Sequence, residues 1–184
     1  MTPGIGHNSG RCDEPGQSWR RHVWTRARAE LLPKLPIEVV RLRVKRAAEL
    51  GLPYKTYAGL RASTGHDLIG FLFSSNALGV VRPGQPLPGK LAELVRADRV
   101  ALTHGQPLLA ALKGEAALDA TYLAPTLQHT WAHTRDRLQA VMRHRGAPAD
   151  RYLVVGATAL ERDWAGAVQA AGYLTAAAFF DRSV

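Results

Sequence analysis

From Asp150 to Phe180 the chain sets two short, unbroken apolar runs on either side of a stretch with helical periodicity. Tyr152 to Val155 and Tyr173 to Phe179 read as strands covered on both faces, because they lack the alternation of a half-exposed strand. Between them, after Gly156 and before Gly172, Leu160, Trp164, Ala167 and Ala171 recur at helical spacing, so Leu160 to Ala171 reads as an amphipathic helix. Strand, helix and strand in this order make a βαβ unit, whose strands are parallel.

The same alternation begins upstream, at Asp67. A first strand lies within Asp67 to Leu78, a short helix follows at Lys90 to Arg96, and a second strand at Arg99 to Thr103. Gln106 to Lys113 reads as a helix and Thr121 to Leu123 as a short third strand. Thr126 to Arg145 reads as a long helix with Leu127, Trp131, Leu138, Val141 and Met142 inward, stopped by Gly146 and Pro148. Five strands and four crossover helices predict an α/β protein, a three-layer sandwich around a mostly parallel five-stranded sheet.

The N-terminal third has a different pattern. Met1 to Gln17 is rich in Gly, Pro and small polar residues and reads as a tail, while Ser18 to Leu32 places Trp19, Val23, Ala27 and Leu31 on one helical face. A helix over Ile37 to Leu50 is expected to turn Ile37, Val40, Val44 and Ala48 inward, and a shorter one follows at Tyr54 to Ala62. The predicted organisation is a flexible tail over 1–17, a basic helical extension over 18–65 and an α/β core over 66–184.

Composition narrows the function classes. With 184 residues, 46% of them hydrophobic, the chain can bury one sizeable core. No apolar run approaches the roughly 18 to 20 residues that span a bilayer, and Met1 to Gly10 has no apolar segment, so a cytoplasmic protein with no membrane partner is expected. Cys12 is the single cysteine, which leaves no internal disulfide and no cysteine metal cage. The net charge of +9 is uneven: residues 1–61 carry 12 Lys and Arg against 5 Asp and Glu, and residues 62–184 carry 12 against 10. A localised basic region suits nucleic acid or an acidic protein. The segment K-R-A-A-E-L-G-L-P-Y-K-T-Y-A-G-L-R-A resembles a helix-turn-helix, which would direct Lys55, Thr56 and Arg61 to a groove, with Arg41 and Lys45 on the preceding helix. Ala176 to Phe180, read as an apolar edge strand, would invite self-pairing into a homodimer.

Three further patterns carry residue types used in chemistry. G-I-G-H-N-S-G near the N-terminus lacks the strand, helix and Lys of a phosphate loop. His129 and His133 share a helical face but have no third ligand in sequence, so no metal is expected there. Ser74 or Ser75 with His104 and Asp163 has the residue types of a hydrolase triad without a G-x-S-x-G elbow.

Across the C-terminal two thirds, F-L-F-S-S-N-A-L (Phe71 to Leu78), V-A-L-T-H-G (Val100 to Gly105), the helix ending at Arg145 and P-A-D-R-Y-L-V-V-G-A-T-A-L-E-R-D-W-A-G-A-V-Q-A-A-G resemble the core of the haloacid dehalogenase-like hydrolases. The resemblance implies an aspartate nucleophile after the first strand, an aspartate two residues on, and Mg²⁺ held with a Gly-Asp carboxylate. This chain has Ser74, Ser75 and Asn76 in the first loop and Ala157 where the Gly-Asp aspartate would stand. Thr103 fits the phosphate-binding Thr or Ser, Asp163 the later acidic residue, and no lysine lies between Glu115 and Arg145. A degenerate, non-catalytic relative that binds nucleic acid or another polyanion, without a cofactor, is therefore the leading expectation. The alternative is a hydrolase or small-anion-binding enzyme with a divergent site at the C-terminal ends of the strands, using Ser74, Asn76, Thr103 or Asp163, and Mg²⁺ if the hydrolase chemistry holds. In it, backbone N–H groups at Ser74 to Asn76, Thr103 to Gly105 and Gly156 to Thr158 converge on an anion.

Overall fold

A computed structural model describes residues 35–181. The expected tail over 1–17 and the helix at Ser18 to Leu32 lie outside the described residues. The chain divides into two units, residues 1–39 and 40–184. Of the first, residues 35–39 are described, and Ile37 opens helix α1 (Ile37–Glu49).

The second unit holds the rest of α1 and α2 (Tyr54–Thr64), then β1 (Gly70–Ser74), α3 (Lys90–Glu93), β2 (Asp98–Thr103), α4 (Gln106–Leu112), β3 (Ala120–Leu123), α5 (Trp131–Arg145), β4 (Tyr152–Gly156), α6 (Ala159–Val168), β5 (Gly172–Thr175) and α7 (Ala176–Phe180). All five strands are parallel, in the order β3-β2-β1-β4-β5. Among the described residues the segment before β1 is helical, and the α/β class with a five-stranded parallel sheet is as the apolar runs predict. Among the described residues no helix is long and apolar enough to cross a membrane.

Strand alternation sorts the core into two layers. Phe71, Phe73, Leu153 and Val155 face one way and pack with Ala47 and Tyr57 of the first two helices, Leu50 and Leu52 of the turn between them, with Leu91, Leu108 and Leu112, and with Phe179. Leu72, Val100, Leu102, Tyr152 and Val154 face the other way, against Leu138, Val141 and Met142 of α5 and Trp164, Ala167 and Val168 of α6. Every residue of β1 and β4 is buried, the signature of central strands covered on both faces. At Gly70 a side chain is excluded: a Cβ there would stand 2.6 Å from the Asp98 carbonyl oxygen and 2.6 Å from the Tyr152 ring.

Three expectations are corrected. The run Tyr173 to Phe179 is not one strand: β5 stops at Thr175, whose hydroxyl accepts from Ala178 N (3.2 Å) and caps α7. Three consecutive alanines favour a helix, and this one turns Phe179 onto Phe71 and Phe73, with ring centroids 5.1 and 5.4 Å apart. Ala176 to Phe180 therefore offers no strand edge for self-pairing. Helix α5 begins at Trp131 after a Thr130 cap that accepts from His133 N, so Leu127 precedes the helix; Leu127 and Trp131 are 84% and 56% exposed rather than inward. In α1, Ile37, Val44 and Ala48 are exposed, and Ala47 is buried instead. The helix is rotated because Arg46 lies on its inward side, where its guanidinium donates to Leu68 O (2.8 Å) and Asp67 Oδ2 (3.1 Å). A pattern reading counts every arginine as solvated, although its stem packs readily against apolar surface.

Candidate active site

Parallel strands all end at one edge, so the residues that follow β1, β2 and β4 meet there. With the order β3-β2-β1-β4-β5, the connections leave β1 in one direction and return to β4 on the other face. The crevice between the tips of β1 and β4 is thus a topological switch point, the usual ligand position in such sheets.

After β1, Ser75 N donates to Leu102 O (2.9 Å), which continues the ladder one rung past the strand. Ser74 Oγ accepts from Ala77 N (2.9 Å) and tightens the turn that follows. Ser75 Oγ lies 2.9 Å from His104 Nδ1, the first side chain after β2, and also accepts from His104 N (3.4 Å). The other ring nitrogen, Nε2, is 3.5 Å from Glu161 Oε1, long for a hydrogen bond but within ion-pair reach. Glu161 is fully buried, Ser75 is 1% exposed, and the His104 side chain is 28% exposed. The imidazole also stacks on the buried indole of Trp164, centroids 5.6 Å apart and planes 26° apart.

Local sequence places the carboxylate. Thr158 is the N-cap of α6 and Glu161 its third residue, and the two form a reciprocal capping box. Glu161 Oε2 accepts from Ala157 N (2.6 Å) and Thr158 N (3.0 Å), while Oε1 accepts from Asn76 Nδ2 (2.8 Å). The negative charge sits at the positive end of a helix with three donors, which offsets the cost of burying it. Gly156 is required beside it, since a Cβ there would come within 2.8 Å of Glu161 Cβ and of the Tyr173 ring.

Of the residues singled out in the sequence, Ser75, His104 and Asn76 reach the cluster and three do not act in it. Ser74 is buried in its turn, and the Thr103 hydroxyl donates to the Tyr122 (3.3 Å) and Gly105 (3.5 Å) carbonyls. Asp163 is exposed, two residues beyond Glu161 and so about 200° round the helix from it. The carboxylate that meets His104 is Glu161, which sequence reasoning missed. The T-x-x-E spacing from Thr158 was its visible signal.

Four donors of the expected anion cradle are engaged within the chain: Ala157 N and Thr158 N donate to Glu161, Ser75 N to a strand carbonyl and His104 N to Ser75 Oγ. The same arrangement does not fit Mg²⁺: both oxygens of the only carboxylate in the cluster take hydrogen bonds, and the loop residues around it are neutral. Among the described residues no group of three or more His, Cys, Asp and Glu could hold a metal ion. His129 and His133 meet edge to face at 6.3 Å, and His129 Nδ1 accepts from Thr126 N (3.1 Å).

Arg41, Lys45 and Lys55 are exposed and Thr56 is half-buried. Arg61 turns inward, 3.4 Å from the Tyr57 hydroxyl and 3.6 Å from Asp67 Oδ1, while Tyr57 itself donates to Asp67 (2.7 Å). The chain matches no protein-family model, no curated protein and no solved structure.

Proposed function

We propose that the protein is a hydrolase of the acyl-transfer type that works without a metal, with Ser75 as nucleophile, His104 as general base and Glu161 as the group that orients the imidazole. The observation that carries this reading is the 2.9 Å approach of Ser75 Oγ to His104 Nδ1, with a fully buried carboxylate on the far side of the same ring. A carboxylate only accepts, so the proton on His104 belongs on Nε2. Nδ1 is then the lone pair that receives the Ser75 proton. The serine oxygen adds to a carbonyl carbon, its proton passes to Nδ1 and then to the leaving group, and water releases the acyl group by the same steps. The order of the ring nitrogens is the reverse of that in the familiar Ser-His-Asp triads, but the roles are equivalent. Substrate meets the relay from the side on which His104 is open to solvent. The resemblance to the haloacid dehalogenase-like hydrolases remains part of the proposal and is supported by the position of the cluster at the strand tips, with the nucleophile moved from the aspartate positions to Ser75.

The test is labelling with a serine-directed fluorophosphonate, read as a mass increase mapped to Ser75, beside hydrolysis of p-nitrophenyl acetate. Removing the base, as in His104→Ala, is expected to slow both by about 100-fold or more, and Ser75→Ala to abolish them. A wild-type protein with no Ser75 adduct and esterase activity equal to Ser75→Ala would overturn the proposal.

A second reading, nucleic-acid binding through α1 and α2, is favoured by the exposure of Arg41, Lys45 and Lys55 in a chain of net charge +9. Retardation of mixed-sequence RNA or DNA that weakens with salt and disappears in Arg41→Glu/Lys45→Glu/Lys55→Glu supports it. No retardation even at low salt removes it.

A further inference from the structure

Trp164 is fully buried in the layer between the sheet, α5 and α6, yet its indole Nε1 has no hydrogen-bond partner among the described residues. A buried donor left unpaired is destabilising, and phenylalanine would fill apolar space there without that cost. Core packing alone therefore does not account for a tryptophan at this position. What the indole adds is area: its ring extends to His104 and stacks on it at 5.6 Å and 26°. The imidazole is held along its edges by Ser75 and Glu161, but the Glu161 contact is long at 3.5 Å and leaves the ring free to tilt about that axis. A flat partner against one face removes this freedom.

We infer that Trp164 is a positioning residue for the relay: it fixes the plane and the tautomer of His104 so that Nδ1 stays aimed at Ser75 and Nε2 at Glu161. The inference rests on the proposed Ser75–His104–Glu161 relay for its consequence, but the orientation it describes can be measured without any turnover. Two linked effects follow. Loss of the aromatic face lets His104 rotate and sample both neutral tautomers. It also slows proton transfer from Ser75 without removing any group that touches substrate.

The experiment follows the His104 ring nitrogens by NMR in ¹⁵N-labelled full-length protein, assigned by their loss in His104→Ala. Fluorophosphonate labelling of Ser75 is measured in parallel. In the wild type the shifts are expected to be those of a single neutral tautomer with the proton on Nε2. Trp164→Leu, which stays apolar and loses the stack, is expected to move both nitrogens toward the average of the two tautomers and to slow labelling at least ten-fold. Trp164→Phe, the milder change if the leucine variant does not fold, is expected to move them in the same direction by a smaller amount and slow labelling about three-fold. Shifts unchanged in either folded variant overturn the inference. A wild type that is never labelled, while Trp164 variants still move the His104 shifts, overturns the nucleophile and leaves the positioning role standing.

Discussion

Glu161→Ala tests the geometry of the strand tips most directly, because one side chain satisfies three donors there. The substitution strips the carboxylate from Ala157 N, Thr158 N and Asn76 Nδ2. Loss of an N-terminal cap costs about 0.5–2 kcal/mol. The two backbone donors belong to exposed residues, so water can replace part of what they lose, whereas the half-buried Asn76 amide adds about 1–3 kcal/mol if it is left unpaired. Against these stands some relief, since a fully buried charge no longer has to be desolvated. The net expectation is a loss of about 2–4 kcal/mol, which for a chain of this size lowers Tm by roughly 4–16 °C. Glu161→Gln retains one acceptor oxygen for the backbone donors but points an N–H₂ at Asn76, so about half that loss is expected. Thermal melts followed by circular dichroism, with urea titrations for the free energies, measure both. The capping box adds an internal control: Thr158→Ala and Glu161→Ala share partners, and their combined loss should fall short of the sum by at least about 0.5 kcal/mol. A Glu161→Ala protein that melts within 1–2 °C of the wild type, at roughly 0.5 kcal/mol or less of lost stability, would mean that the carboxylate is not bound as described.

Two further expectations concern the opposite end of the sheet. Gly70→Ala drives a Cβ against the Asp98 carbonyl of the neighbouring strand and the Tyr152 ring, and since backbone cannot step aside cheaply, a loss of about 3 kcal/mol or more is expected in urea titrations; a near-neutral result would put the strand register in doubt. Burial, and then its hydrogen bond to Asp98, push the Tyr152 hydroxyl well above the usual tyrosine range. A folded-state pKa above the unfolded one means that the folded state holds its proton longer, so this contribution is intact below about pH 10 and is lost as pH rises beyond it. Tyr152→Phe should therefore flatten the alkaline fall in Tm above about pH 10, and an unchanged alkaline limb would refute the assignment.

The sheet was legible because β1 and β4 lie under helices on both faces and so appear as unbroken apolar runs. Reading went astray where one residue type serves two contexts. Phe179 and Phe180 read as strand residues, but three alanines and the Thr175 cap make that segment a helix, and only the packing of Phe179 onto Phe71 and Phe73 reveals what the phenylalanines are for. Arg46 takes a place on the inward side of α1, which shifts the buried face by one residue, from the expected Ala48 to Ala47. The site was legible in its parts and not in its assembly. Ser75 and His104 are 29 residues apart and Asn76 and Glu161 are 85 apart, and no local spacing reports that such pairs touch. Asp163 has the residue type that both the triad and the resemblance call for, whereas the capping box marks Glu161, since T-x-x-E fixes which acid turns back over the helix start.

The two ends of the sheet handle buried polarity in opposite ways, and the contrast bears on function. At the N-terminal end Asp98 and Asp119 are each paired with an arginine: Arg145 grips Asp98 through two nitrogens (2.9 and 2.6 Å), and Arg99 grips Asp119. Such pairs tie α5 and β3 to β2 and neutralise what they bury. Of the five polar or charged residues buried in the described chain, four, namely Ser74, Ser75, Thr103 and Glu161, lie at the C-terminal end or on the helix that starts there. Among the described residues Glu161 has no Lys or Arg partner, only backbone, amide and imidazole. In a chain with nine surplus positive charges, a cation for this position was available in number. In the proposed relay, an arginine partner would compete with the His104 Nε2 proton for that carboxylate. A carboxylate held by neutral donors leaves its charge facing the imidazole edge, so in the proposed relay one side chain both caps α6 and orients His104.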